Sequence, residues 1–267
     1  MLIGICTAQL LGCAAAPTAN EISSRTLALL PADAILLGER HDAPDHQRIH
    51  RAVIEALAAR GALAAVALEM AEQGRSTAGL VSDASPAEVQ TALQWDNKGW
   101  PWPDYGPAVM AAVRAGVPVA GANLPRAQMH AAMQNVQLDA LLPAAALSAQ
   151  QEAIRDGHCG LLREDQVPPM TRIQVARDIA MAQTVQAVAV RGKTVVLLAG
   201  GGHADRSVGV PLHLPENFHV RSVRLQTRQT QADPHSAENF DATWVTPSVP
   251  EPDYCAGLRA RLPGVSP

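Results

Sequence analysis

Short apolar runs alternate with amphipathic stretches along most of the chain. Four runs have the length and continuity of strands buried on both faces of a parallel sheet. They are Ala34 to Leu37, Ala64 to Leu68, Val117 to Ala120, and Thr194 to Ala199. A fifth run, His219 to Gln226, alternates imperfectly, and we expect it at or near an edge of the sheet. The pattern predicts an α/β fold with a mostly parallel central sheet.

The segments between these runs carry helical periodicity and predict crossover helices. These are Pro44 to Arg60, Pro107 to Ala115, Pro125 to Val136, and Thr171 to Val190. In the first, Pro44 lies in the opening turn and Asp42 is placed to cap it. We interpret residues 71–100 and 138–169 as helical insertions over the sheet, and the proline-rich residues 232–252 as an extended strap. Residues 21–267 are expected to form a single domain.

The first thirteen residues form an uncharged apolar segment that is too short to span a bilayer. Leu10-Leu11-Gly12-Cys13 resembles the bacterial lipobox, in which a signal peptide is removed before a cysteine that becomes lipidated. We therefore expect residues 1–20 to be a lipoprotein signal segment and tether. Cys13 would anchor the protein to a membrane of the bacterial cell envelope, facing the periplasm. The alternative is a frayed N-terminus with a chance cysteine.

The composition indicates a globular protein and argues against a nucleic-acid-binding one. A chain of 267 residues with 48% hydrophobic residues can bury a substantial core. Its formal net charge of −4 and its lack of any Lys/Arg run argue against nucleic acid as a partner. With Cys6 removed and Cys13 lipidated, Cys159 and Cys255 remain, and an even number in an oxidising compartment suggests one disulfide. Two buried thiols are the alternative.

Polar side chains follow each of the four predicted strands. They are Glu39 and His41 after the first, Glu69 after the second, Asn123 and Arg126 after the third, and His203 and Arg206 after the fourth. Because the carboxyl ends of parallel strands share one edge of a sheet, we expect these groups to converge on one crevice. Taken singly, each could instead be a helix cap or a satisfied hydrogen-bonding group.

Two carboxylates and two imidazoles in that crevice could bind a divalent metal or perform acid–base chemistry. The set consists of Glu39, His41, Glu69 and His203. His46 and His50 share one helical face by their spacing. We expect a solvated position for His50, whereas His46 could face the crevice. His158 is a secondary ligand candidate.

The aromatic residues are concentrated in one segment. Four of the eight fall within residues 95–105, namely Trp95, Trp100, Trp102 and Tyr105. Haem needs an apolar wall, cations near its propionates and an axial ligand. Trp100 and Trp102 could supply the wall, and Tyr105 could supply a phenolate to ferric iron. The alternative is a structural aromatic cluster beneath a proline-stiffened loop.

Several segments together resemble the ChaN-type haem-binding uptake lipoproteins, within the wider Tiki and erythromycin-esterase-like superfamily. The matching segments are Leu36 to Asp42 with His46, Leu68 to Met70, Trp102 to Tyr105, Gly121 to Arg126, His158-Cys159, Ala199 to His203, and Asp253 to Cys255. The order of Gly-Glu-X-His, the second Glu, Asn-Leu-Pro-Arg and Gly-Gly-His is fairly specific. The resemblance covers most of the chain after the signal segment.

This resemblance implies a lipid-anchored α/β protein that holds haem for iron uptake, in the best-known member as a homodimer with two haems stacked face to face. The resemblance points to Tyr105 or a histidine at the sheet edge as the iron ligand, and to His41, His46, His158 or His203 as its hydrogen-bonding partner or second ligand. Arg126 or Arg206 would lie near the propionates, and Asn123 would belong to the same site. No C-x-x-C-H motif occurs, so haem binding is expected to be non-covalent.

The superfamily also contains metal-dependent proteases and esterases, which leaves an alternative open. In that interpretation Glu39, His41, Glu69 and His203 form a hydrolytic centre with Zn, Mn or Co. His41, His203 and a carboxylate would hold the ion, and Glu39 or Glu69 would activate water.

Overall fold

The core of the chain is one sheet of six parallel strands, seen in a computed structural model that describes residues 16–228, 237–250 and 253–261. The strands are β1 (Ala34–Glu39), β2 (Leu63–Glu72), β3 (Val119–Asn123), β4 (Thr194–Gly200), β5 (Val220–Thr227) and β6 (Ala242–Thr246). Their order across the sheet is β3-β2-β4-β1-β5-β6, and every neighbouring pair is parallel. The predicted α/β class is confirmed.

Helices connect the strands and cover both faces of the sheet. They are α1 (Ala19–Ala28), α2 (Pro44–Ala58), α3 (Pro86–Leu93), α4 (Trp102–Arg114), α5 (Arg126–Gln134), α6 (Ala144–Gly157), α7 (Val167–Ala187), α8 (Gly201–Ala204) and α9 (Tyr254–Arg261). Within the described ranges, none of them has the length and apolar character needed to cross a bilayer. Cys13 and the rest of the predicted signal segment up to residue 15 lie outside the described residues.

Successive residues of β1 face opposite sides of the sheet, as the pleat requires. Ile35 and Leu37 belong to the core formed with α2 and α4. Ala34 and Leu36 belong to the core formed with α7. Both faces of the strand are therefore buried, which explains why the sequence shows a continuous apolar run rather than an alternating one.

The predicted helix after β1 is present, but it begins differently from the prediction. Its N-cap is Ala43, which makes no side-chain capping hydrogen bond. The prediction that Asp42 caps this helix is wrong, because Asp42 accepts a hydrogen bond from the guanidinium of Arg40 at 2.6 Å instead. Pro44 occupies the first turn as expected. Gly61, with φ of +64°, turns the chain after the helix in a conformation that suits glycine.

The predicted fifth strand, β5, lies next to one edge of the sheet, as expected. β6 pairs with it in parallel and forms that edge. β6 lies inside the proline-rich stretch that was predicted to be an extended strap. Trp244 and Thr246 point inward and are 4% and 1% exposed, whereas Val245 is 45% exposed. A five-residue, half-buried strand flanked by prolines carries too little periodicity to stand out in the sequence.

The C-terminal helix is tied to the body by a disulfide. Cys159, just after α6, is bonded to Cys255 in α9 across a separation of 96 residues. This is the pairing that the cysteine count suggested. The bond fixes the start of α9, and with it Tyr254, beside the carboxyl end of β1.

Candidate functional site

The carboxyl ends of β1, β2 and β4 bring four predicted residues together. His41 Nδ1 lies 2.7 Å from Glu39 Oε1, and His41 Nε2 lies 3.8 Å from Glu69 Oε2. His203 Nε2 lies 3.5 Å from Glu69 Oε1. Because β4 lies between β1 and β2 in the sheet, residues far apart in sequence become neighbours at this edge.

A surrounding layer of polar groups holds these side chains in place. His203 Nδ1 lies 2.5 Å from Asp178 Oδ1 on α7. The hydroxyl of Tyr105 donates to Glu39 Oε1 at 2.8 Å, and the amide of Gln47 donates to Glu39 Oε2 at 3.0 Å. Each buried charge at this edge therefore faces an opposite charge or a hydrogen-bond donor.

Gly200 lets the end of β4 approach the cluster closely. Its backbone N–H donates to Glu69 Oε2 at 2.7 Å. A Cβ at this position would lie 3.0 Å from His41 Nε2, which is tighter than ordinary van der Waals contact. The absence of a side chain thus allows the backbone amide and the imidazole to share one carboxylate.

The cluster is an ion-pair network. Burial alone would raise the pKa of Glu69. The opposing effect of His203 and His41 is larger, and it brings this pKa down to about 2. Burial lowers the pKa of His203, but the carboxylates of Glu69 and Asp178 raise it to about 10. The pKa of His41 moves upward for the same reason, since Glu39 and Glu69 outweigh its burial. At neutral pH the carboxylate of Glu69 is charged and His203 is protonated beside it.

His46 and His50 are both buried on α2. His46 Nδ1 accepts the backbone N–H of Arg40 at 3.0 Å, and its Nε2 lies 3.2 Å from Thr246 Oγ1 on β6. Burial, aided by His50, lowers the pKa of His46 to about 4. The expectation of a solvated His50 is wrong: it is fully buried, 3.7 Å from Glu39 Oε2, on the face of α2 that carries its apolar residues.

The predicted divalent-metal site is not supported. Within the residues that the structure describes, no group of three or more His, Cys, Asp or Glu side chains is arranged to hold a metal ion. The four predicted ligands, Glu39, His41, Glu69 and His203, instead pair with one another and with their neighbours.

A cavity of about 610 Å³ opens beside this network, and we call it the main cavity. Trp100 forms an aromatic wall, with its ring centroid 4.8 Å from that of His41 and 5.8 Å from that of Tyr105. Tyr254 of α9 lines the cavity as well. The lining also includes Glu39, Arg40, His41, Asp42, Glu69, Tyr105, Gln174, Arg177, Gly200, Gly201, Gly202 and His203.

Trp102 and His158, both predicted for the site, do not line the main cavity. Trp102 packs edge-on against Trp95, with ring centroids 5.0 Å apart, and contacts the core instead. Of the two predicted wall residues, only Trp100 therefore lies at the cavity. His158 caps α6, and its Nδ1 lies 2.8 Å from the carbonyl oxygen of Ile154.

A second cavity, of about 480 Å³, adjoins the main cavity and shares Glu69, Gly99, Trp100 and Arg177 with it. Asn123 and Arg126, predicted for the same crevice, line this second cavity. The guanidinium of Arg126 pairs with Asp96 at 2.8 Å. Arg206 lines neither cavity, and its guanidinium pairs with Asp241.

Comparison with known proteins decides the family. The sequence model of a family described as haem-binding uptake, Tiki superfamily, ChaN matches residues 26–214. The chain belongs to this family. The predicted family is thus confirmed, and the match spans β1 to β4 together with Glu39, His41, Glu69 and His203. No curated protein matches the chain.

Three solved structures are similar to this chain. ChaN of Campylobacter jejuni, reported with cofacial haem binding, is similar with a TM-score of 0.65 and 26% identity over 82% of this chain and 89% of that chain. The type III effector HopBA1 is similar at a TM-score of 0.46 and 17% identity over 85% of this chain and 94% of that one. RRSP, a MARTX toxin effector domain from Vibrio vulnificus, has a TM-score of 0.44 and 13% identity, covering 88% of this chain and 40% of that one.

Three residues of this ChaN-family site were missed by the sequence analysis. Asp178 and Arg177 lie on α7, and a polar pair within an otherwise apolar stretch is the signal that could have found them. Tyr254 lies next to Cys255, so the predicted disulfide already implied that this tyrosine is held near the body. Its place in the cavity wall depends on the packing of α9, which the sequence pattern does not show.

Proposed function

We propose that this chain is a lipid-anchored protein of the bacterial cell envelope that binds haem non-covalently for haem and iron uptake. The observation that carries the proposal is the main cavity, with Trp100 as a wall, in a chain of the ChaN family. The similar Campylobacter protein binds haem cofacially. The lipobox-like Leu10 to Cys13 supports the anchor, although it lies outside the described residues.

The residues of the main cavity fit the demands of haem. A porphyrin needs an aromatic or aliphatic surface, which Trp100 offers, and the volume of the cavity falls within the range of ordinary ligand sites. An iron ligand is available from a phenol oxygen that lines the cavity. When bound, the ferric ion would supply a positive charge that favours the phenolate form of such a ligand.

Of the two tyrosines at the cavity, we propose Tyr254 as the iron ligand in preference to the predicted Tyr105. Tyr105 is 1% exposed, and its hydroxyl donates to Glu39. Burial and the carboxylate of Glu39 both raise its pKa, which opposes loss of the proton. Tyr254 is 60% exposed and its hydroxyl donates to Asp42. Partial burial and Asp42 raise the pKa of Tyr254 as well, but its hydrogen bond is partly solvated, and such a bond is exchanged at lower cost than a buried one.

Titration of the purified protein with haemin tests this proposal. We expect a saturable Soret band in the wild type, and a shifted or much weakened band in Tyr254→Phe because the oxygen ligand is lost. The comparison variant is Tyr105→Phe, which removes a hydroxyl from the same cavity; when it is folded, its Soret band should keep the wild-type position because the iron ligand remains.

Two other results would change the conclusion. A band lost in Tyr105→Phe but kept in Tyr254→Phe would return the ligand role to Tyr105. A wild-type protein that shows no saturable haemin binding would contradict the proposed function itself.

A further inference from the structure

Arg177 stands apart from the other arginines near the site. It lies on α7, lines both cavities and is half-buried. Its Nε is buried and has no hydrogen-bond partner among the residues that the structure describes. By contrast, Arg40, Arg126 and Arg206 pair with nearby aspartates. Burying a guanidinium donor without an acceptor destabilises the folded protein. The presence of such a donor therefore indicates an anionic partner.

The second cavity contains another arginine that has no carboxylate partner among the described residues. Arg75, just after β2, lines it, is half-buried and forms no ion pair with a carboxylate in the described ranges. The carboxylates of this cavity are already engaged: Glu69 with His203, Asp96 with Arg126, and Glu72 with the backbone N–H of Arg126. Two guanidinium groups are therefore available to an incoming anion.

The chemistry of guanidinium specifies which anion fits. Its planar fork matches the two oxygens of a carboxylate and can form two parallel charge-assisted hydrogen bonds. Trp100 lines both cavities, so a flat ligand that rests on Trp100 borders the second cavity as well. A ligand with an apolar plane and carboxylate side chains would satisfy Trp100 and Arg177 together.

We propose that the second cavity is a carboxylate-binding subsite, in which Arg177, assisted by Arg75, binds a propionate group of haem. This inference rests on the proposed function and adds to it the groups that distinguish haem from other flat apolar molecules. It assigns the propionate contact to Arg177 instead of Arg126 or Arg206, whose guanidinium groups are already paired with Asp96 and Asp241.

A comparison of two ligands tests the subsite directly. Haemin and haemin dimethyl ester share the iron and the macrocycle, but the ester has no charged propionate. We expect Arg177→Gln to lower the affinity for haemin by about tenfold or more, equivalent to about 1.4 kcal/mol, and to leave the affinity for the ester unchanged. The wild type and Arg177→Gln are each titrated with both ligands. The Soret band and the quenching of tryptophan fluorescence give the affinity of each protein for each ligand.

Control variants separate recognition from folding. Arg206→Gln removes an arginine outside both cavities and should bind both ligands as the wild type does. Arg177→Lys keeps the charge but loses the planar fork, so it should recover only part of the haemin affinity. The melting temperature of each ligand-free variant reports on folding. If Arg177→Gln is unstable, the same two titrations are performed with Arg75→Gln. This variant should bind haemin more weakly and bind the ester as the wild type does.

The outcomes distinguish the two proposals. If the wild type binds haemin but a folded Arg177→Gln loses affinity equally for haemin and the ester, or loses none, the subsite is overturned and the haem-binding function stands. If the wild type binds neither ligand, the proposed function fails, and the subsite fails with it. A loss confined to haemin supports both.

Discussion

Buried charges at the sheet edge are tolerated because each faces an opposite charge at short range. Glu69 accepts the backbone N–H of Gly200 and lies near the imidazoles of His41 and His203. Removing one member would leave the others buried without compensation, which is far more costly than losing a surface ion pair. The network therefore fixes the floor of the main cavity at neutral pH.

The pH dependence of stability should report on this network. The pKa of His203 is about 10 in the folded chain and 6.5 for a histidine without such neighbours, so its stabilising contribution is complete below pH 6.5 and is lost as the pH rises through 10. The pKa of Glu69 is about 2 against an ordinary 4.5, so its contribution is present above pH 4.5 and is lost as the pH falls through 2.

We expect His203→Gln to destabilise the protein most at mildly acidic pH, with the difference from wild type shrinking toward alkaline pH. Urea denaturation at about pH 6, 8 and 10 measures this difference. His130→Gln, at an exposed position of α5, is the matched control and should follow the wild-type curve. If the free energies of unfolding of the wild type and His203→Gln differ by the same amount at all three pH values, the assignment of a protonated His203 is contradicted.

Sequence reasoning identified many of the site residues but not their partners. Glu39, His41, Glu69 and His203 could be found because each follows an apolar run. Asp178 could not, because it lies inside α7 and reaches His203 only when that helix packs on the sheet. The burial of His50 likewise depends on which face of α2 meets the core.

At the scale of elements, the strands position the chemistry and α9 closes one side of the cavity. β1, β2 and β4 end at the same edge, where their polar residues meet. α9 comes from the far end of the chain and is held there by the Cys159–Cys255 bond and by the hydrogen bond from Tyr254 to Asp42. The start of α9 is thus attached at two points.

Removing the disulfide should release α9 and leave the sheet intact. For the double variant Cys159→Ser/Cys255→Ser we expect a loss of about 2–4 kcal/mol in the free energy of unfolding, because a long loop is no longer closed in the unfolded state. Tyr254 would then lose its fixed place, so haemin titration should resemble that of Tyr254→Phe.

Limited proteolysis measures the release of α9, and chemical denaturation measures the loss of stability. The reference is the oxidised wild type under the same conditions. Unchanged cleavage near residues 253–261 together with unchanged haemin binding would show that the disulfide does not position this helix.

At the scale of the whole molecule, the open main cavity bears on assembly. A haem that rests on Trp100 would keep an apolar face exposed, and exposed apolar surface favours association. We therefore propose that haem binding promotes a homodimer of this chain.

Sedimentation velocity with and without haemin tests this proposal. We expect a monomer without haemin and a dimer at one haemin per chain. Tyr254→Phe should need a higher haemin concentration to dimerise, because it binds haemin more weakly. A haemin-saturated protein that remains monomeric would contradict the proposal.

Local sequence patterns are sufficient to predict the fold class, four adjacent strands of the sheet, and the residues at their carboxyl ends. These features are local, because an apolar run and the polar residues that follow it are adjacent in the sequence. Packing between distant elements places Trp100 but not Trp102 at the main cavity and brings Tyr254 to the site. It also leaves Arg177 without an ion pair among the described residues, while Arg126 and Arg206 are paired. Those outcomes depend on contacts between distant elements, whose energies are set by packing and by charge partners rather than by local pattern.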